Sequence, residues 1–114
     1  MKALYWVGSS KKDLLEMPAT VVDVVGYALY LAQSGLKHQQ AKPLKGFGSA
    51  GVLEIVEDYD GNTYRAVYTV RFSNSVYVLH CFQKKSRKGI EMSRQDKEMI
   101  EARLKLARWH SGGV

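Results

Sequence analysis

The chain has 114 residues, 46% of them hydrophobic and 25% charged. That is the size and balance of one globular domain spanning residues 1–114, able to bury roughly two-thirds of its unfolded surface and too small for a second core. No apolar run is long enough to cross a bilayer, and the N-terminus lacks the basic segment, apolar stretch and small-residue site of a signal peptide, so a cytoplasmic protein with no membrane partner is expected.

Seventeen Lys and Arg against eleven Asp and Glu give a net charge of +6. This favours an anionic partner such as nucleic acid or an acidic protein. The cations gather in two places: Lys37, His38, Lys42 and Lys45 before residue 50, and Lys84, Lys85, Arg87 and Lys88 after residue 80. The single cysteine, Cys81, excludes an internal disulfide and reads as a small buried apolar residue. His38, His80 and His110 show no metal-ligand spacing, so no metal or other cofactor is expected.

In chain order, Ala3 to Val7 is a short apolar run ended by Gly8-Ser9-Ser10, which suits a first strand. Ser10 and Asp13 have N-cap-to-N3 spacing and predict a helical turn through Leu14 and Leu15. Pro18 fits the start of a second helix, in which Val21, Val25, Ala28, Leu29 and Ala32 recur at three- and four-residue spacing, with Gly35 as its C′ residue. Leu36 to Gly51 reads as a loop. Its glycines match no nucleotide-binding pattern, and Leu44 can anchor it so that Lys42 and Lys45 stand over the sheet.

The next segment is a meander of two hairpins. Leu53–Glu57 and Thr63–Phe72 are strand-like runs about an Asp60-Gly61 turn, and Ser73-Asn74-Ser75 leads to a third run, Val76–Phe82. Alternation puts Arg65, Val67, Thr69 and Arg71 on one face, with Tyr64, Ala66, Tyr68, Val70 and Phe72 on the other, packed under helices. Arg65 then points at the open face, where it is either a solvated arginine or a functional one. In the third run Val76, Val78, His80, Phe82 and Lys84 share one face and Tyr77, Leu79, Cys81 and Gln83 the other. Both faces are apolar, as in a central strand. Ser93 and Asp96 cap a last helix with an apolar stripe of Met99, Ile100, Leu104, Leu106 and Ala107, and Trp109 closes it.

No Ser-His-Asp set and no convincing carboxylate pair is present. Lys and Arg, with His80 as a titrating group, can still run RNA cleavage. The ribose 2′-hydroxyl attacks the neighbouring phosphate while one group takes its proton, cations stabilise the phosphorane, and an acid protonates the leaving 5′-oxygen. Lysine serves as base when burial and neighbouring cations disfavour its charged form, and arginine is best suited to holding phosphate.

The ordered series Lys42-Pro43-Leu44-Lys45-Gly46, Leu53-Glu54, Tyr64-Arg65-Ala66-Val67-Tyr68 and Val76 to Ser86, followed by the Ser93–Trp109 helix, resembles the toxins of the RelE/ParE superfamily, and within it the phage-derived HigB-type branch. The resemblance implies an α+β fold: a twisted, mostly antiparallel sheet with N-terminal helices and a C-terminal helix packed on one side. It implies the toxin of a type II toxin–antitoxin system, a metal-independent, ribosome-dependent endoribonuclease that cuts mRNA and inhibits translation. Its partners would be mRNA, the ribosome and a cognate helix-turn-helix (HigA-like) antitoxin. By the same resemblance Arg65 would clamp the phosphate, Lys45 or Lys42 would be the base, and Lys84 or His80 the acid. Lys37, Lys85, Arg87, Lys88 and Phe82 would bind RNA. Some such toxins stack a C-terminal tyrosine on a base; here Trp109, His110, Tyr77 and Phe82 are the aromatics on offer. A ParE-like gyrase inhibitor and a non-catalytic phage-derived nucleic-acid-binding protein remain alternatives.

Overall fold

The computed structural model describes residues 1–48, 51–84 and 92–112. Five strands form one sheet in the order β1-β5-β4-β3-β2. They are β1 (Ala3–Trp6), β2 (Lys42–Pro43), β3 (Val52–Tyr59), β4 (Asn62–Thr69) and β5 (Ser75–Lys84). β1 runs parallel to β5, and the other pairings are antiparallel. Helices α1 (Ser10–Leu15), α2 (Ala19–Gln33) and α3 (Arg94–His110) complete an α+β fold with the mostly antiparallel sheet that was expected. No helix among the described residues is long and apolar enough to cross a membrane.

The meander forms as its residues dictate. Asp60 and Gly61 both have positive φ, 50° and 80°, the type I′ geometry whose twist matches that of the flanking strands. The loop is tighter than the sequence suggested, because Tyr59 and Asn62 already pair across it. The segment after α2 is also more ordered than its composition implies, since Lys42 and Pro43 pair with Glu54 and Leu53 as a two-residue edge strand. Leu44 is buried beside them and anchors the segment as anticipated.

The helices lie on both faces of the sheet, a departure from the one-sided packing implied by the resemblance. α1 and α2 bury Leu14, Val21, Val25, Ala28 and Leu29 against Ile55, Ala66, Tyr68, Val76 and Val78. α3 buries Ile100, Leu104 and Ala107 against Val52, Val67, Tyr77 and Leu79, and alternation puts these on the opposite face. Each buried Val, Leu or Ile among these contributes about 1.5–3 kcal/mol, and the two-sided cover explains why β5 is apolar throughout. Phe72, placed with Tyr64 by simple alternation, joins the α3 core instead, because the strand ends at Thr69. Met99 and Leu106 lie off the buried stripe of α3 and are exposed.

The helix ends correct one assignment. α1 starts after Ser9, not Ser10. The Ser9 hydroxyl donates to Asp13 Oδ2 (2.7 Å), while Ser10 is fully buried and donates to the Val78 carbonyl (3.2 Å). In α3 the expected cap holds: the Asp96 N–H donates to Ser93 Oγ (3.1 Å), and the Ser93 hydroxyl donates to Asp96 Oδ2 (2.7 Å). α2 ends as anticipated at Gly35, whose N–H donates to Ala32 while Leu36 N–H donates to Leu31.

Cys81 is buried, as its flanking residues suggested. Burial pushes its thiol up from 9.0 to about 12, with Asp13 adding to the shift and Arg103 opposing it. The neutral thiol is therefore the folded state's preferred form. This contribution to stability is fully present below pH 9 and lost as pH rises toward 12. We expect no reaction of the native protein with a disulfide-exchange reagent over minutes at pH 8 and one equivalent of reacted thiol on unfolding. Rapid native labelling would contradict the burial.

Candidate functional site

The register of the meander stacks three cross-strand rows. Lys42, Glu54, Val67 and His80 form the first, Val56, Arg65 and Phe82 the second, and Asp58, Thr63 and Lys84 the third. Residues directly opposite share a face, and these rows share the face of the Val52–Val67–Leu79 core under α3. Arg65, Lys84, Lys42, His80 and Phe82 are therefore brought together on one side of the sheet.

For β5 this happens for a reason alternation alone cannot supply. Val67 pairs with His80 but Tyr68 pairs with Val78, so Leu79 is an extra residue, a β-bulge. Val76 and Val78 consequently face α1 and α2, whereas His80 and Phe82 face the other way. The expected grouping of Val76, Val78, His80, Phe82 and Lys84 is split by the bulge.

Arg65 is not a solvated arginine: it is 7% exposed, and its Nη1 lies 3.6 Å from Glu54 Oε2. Glu54 is also buried, and its other oxygen is 4.0 Å from Lys42 Nζ. Glu54 is thus the functional candidate that residue-type reasoning missed. Its signal was its position in the first strand run, one cross-strand step from the Arg65 neighbourhood. The face is a mixed network rather than a purely positive patch, because Glu54, Asp58 and Asp96 are interleaved with the cations.

His80 Nε2 lies 2.7 Å from Asp96 Oδ1, and the ring stacks on Phe82 at 4.4 Å and 18°. Asp96 is also the capping-box partner of Ser93 in the first turn of α3, so one imidazole ties β5 to the start of that helix. His80 Nδ1 is buried without a hydrogen-bond partner among the described residues. Lys45 is exposed in the turn after β2, and Lys42 keeps 64% of its side chain exposed beside a carboxylate. Neither has the burial a lysine base needs. Lys37 is exposed in the loop after α2, the helix that covers the opposite face. Lys85, Arg87 and Lys88 lie outside the described residues. Of the other aromatics, Tyr77 and His110 belong to a separate cluster with Tyr5 and Phe72. There Tyr77 Oη lies 2.8 Å from His110 Nδ1, five or more residues along β5 from the Arg65–Phe82 row. Trp109 is 79% exposed on α3 near that cluster's end of the helix.

The chain is similar to the crystal structure of the isolated E. coli RelE toxin, with a TM-score of 0.55 and 18% sequence identity over 90% of this chain and 98% of that one. At that identity the likeness is one of fold. No curated protein matches the chain. Residues 12–105 match the family described as phage-derived protein Gp49-like, and the chain belongs to that family.

Proposed function

We propose that this protein is the toxin of a type II toxin–antitoxin pair, a HigB-type endoribonuclease that cleaves mRNA on the ribosome in the cytoplasm and is held inactive by a helix-turn-helix antitoxin. The observation that carries the reading is the single sheet face on which Arg65 stands between Phe82 and the Lys42–Glu54 pair, with Lys84 one row away. A cation to hold phosphate, an aromatic for a base and a second cation at the strand end are the parts that RNA strand scission requires. The fold likeness to RelE supports the same reading.

In this reading Arg65 holds the scissile phosphate and stabilises the phosphorane. Glu54 occupies the anion position beside Arg65 until RNA arrives. Once the phosphate takes that place, the carboxylate is free to accept the 2′-hydroxyl proton, a role its burial suits better than the exposure of Lys42 and Lys45 suits them. Lys84 protonates the leaving 5′-oxygen, with His80 as the second candidate. Phe82 supports a base, and Lys37, Lys85, Arg87 and Lys88 draw in the backbone.

One observation favours a second reading, a protein of this fold that cleaves no RNA, either a gyrase inhibitor or a nucleic-acid-binding protein. Arg65 is buried and already faces a carboxylate. Induction in bacteria with mapping of mRNA 5′ ends separates the two. New ends within translated codons, absent when the ribosome is blocked from initiating, are the expected result. Intact mRNA with DNA damage would replace the nuclease by a gyrase poison, and unaffected growth would replace it by a binding protein. Among cleavage-active variants, Lys84→Ala is expected to lose more activity than Lys88→Ala; equal losses would remove Lys84 as the acid.

A further inference from the structure

The bulge at Leu79 decides which face the second half of β5 presents, and a residue outside the site donates to it. Leu79 has no Cα partner on β4 in this register. Arg103 of α3, itself 9% exposed, donates from Nη1 to this carbonyl at 2.9 Å. Its Nη2 donates to Ser9 Oγ at 3.2 Å, and Ser9 in turn donates to Asp13. The preceding carbonyl, of Val78, is taken by the Val7 N–H (2.9 Å) and the Ser10 hydroxyl (3.2 Å). Both carbonyls at the irregularity are therefore satisfied by groups from other elements. A buried carbonyl left unpaired there would favour the regular ladder that pairs it.

The regular alternative is easily written. With Tyr68 still opposite Val78, Val67 would meet Leu79, Ala66 would meet His80, and Arg65 would meet Cys81. His80, Phe82 and Lys84 would then turn to the α1–α2 face, and Cys81 would replace Phe82 beside Arg65.

We propose that Arg103 is a positioning residue: by holding the Leu79 carbonyl it keeps the bulge, and the bulge keeps His80, Phe82 and Lys84 on the face of Arg65. Its consequence for cleavage rests on the nuclease reading; its consequence for register does not. The test is therefore made on both. Arg103→Met keeps most of the side chain's length and removes its donors. In isotopically labelled protein, cross-strand backbone nuclear Overhauser contacts between Val67 and His80 mark the bulged register, and those between Ala66 and His80 mark the regular one.

Arg103→Met is expected to lose the Val67–His80 contact and, in induced cells, to lose at least tenfold in cleavage. Arg103→Lys, which retains one cationic donor, recovers part of both. Leu29→Ala, a cavity in the α2 core, serves as a control for stability loss alone and keeps the bulged register. Should Arg103→Met not fold, Arg103→Lys compared with Leu29→Ala decides the same question. A folded Arg103→Met that keeps the Val67–His80 contact, or that changes register and cleaves as wild type does, overturns the proposal. If the wild-type protein cleaves no RNA, the nuclease reading fails, and the register measurement alone judges Arg103.

Discussion

Replacing Arg65 with alanine is expected to lower mRNA cleavage by about 10²–10³-fold, the loss of roughly 2.7–4 kcal/mol that accompanies removal of one preorganised donor from a developing oxyanion. The residue sits mid-strand between Val56 and Phe82, where β4 fixes its backbone and burial fixes its side chain. It therefore needs no reorganisation when charge develops on the phosphate. The same substitution removes the partner 3.6 Å from a buried carboxylate, so part of any loss in cells could come from destabilisation. Leu29→Ala, a cavity in the α2 core on the other face of the sheet, separates the two effects. It lowers stability without touching the site, so it is expected to keep cleavage while losing thermal stability as Arg65→Ala does. The readouts are 5′-end mapping in induced cells and thermal unfolding of the purified proteins. Cleavage within about threefold of wild type in Arg65→Ala would remove Arg65 from the chemistry.

Gly8→Ala is expected to destabilise the protein by about 2–4 kcal/mol, a large loss for a change of one methyl group at the surface end of a strand. Gly8 has φ of 58°, in the left-handed region that costs an alanine about 1–2 kcal/mol. A Cβ built there would lie 2.8 Å from the guanidinium of Arg103. The end of an arginine side chain can ordinarily move aside cheaply. This one is buried and bonded to Leu79 and Ser9, so moving it costs those hydrogen bonds as well, about 1–2 kcal/mol more. Chemical unfolding of Gly8→Ala beside Gly26→Ala provides the check. Gly26 lies in the exposed face of α2 with nothing within 4 Å of an added Cβ, and alanine there is expected to be neutral or stabilising by up to about 1 kcal/mol. Equal effects at the two positions would show that the Arg103 contact carries no weight.

These two residues mark the boundary between what the sequence shows and what it does not. The hairpin at Asp60-Gly61 was legible because the positive φ it needs is a local demand with few residue types to meet it. The Ser93–Asp96 cap and the Gly35 terminus were legible for the same reason. The apolar alternation of β4 located the Tyr64–Ala66–Tyr68 face correctly, and the uniform apolarity of β5 identified a central strand. Gly8 was read only as the end of a strand; its second role depends on a side chain 95 positions away.

The candidate site was legible in part. Arg65, Lys84, Lys42, His80 and Phe82 do meet on one face of the sheet. Glu54 was not singled out, because a lone carboxylate in a strand carries no signature until the register shows that it stands between Lys42 and Arg65. Lys45 and Lys37 were grouped with the site by charge and proximity in sequence, yet both are exposed in loops, and Lys37 comes after the helix on the opposite face. The helices proved harder to place than to find. The apolar positions of α3 showed that it buries one stripe, but not which side of the sheet receives it.

By itself the amino-acid sequence determined every element but the two-residue β2: their kind, their order and most of their ends. It did so because caps, turns and pleat alternation are set by residues within a few positions of one another. Only the tertiary structure decided how those elements face. The extra residue at Leu79 reverses the phase of β5, and Arg103 and Ser10 reach its carbonyls from two helices. One residue of slip turns every later side chain to the other face, and no local pattern records where the slip falls. That is why His80, Phe82 and Lys84 could be named from the sequence, while their place beside Arg65 came from contacts distant in the chain.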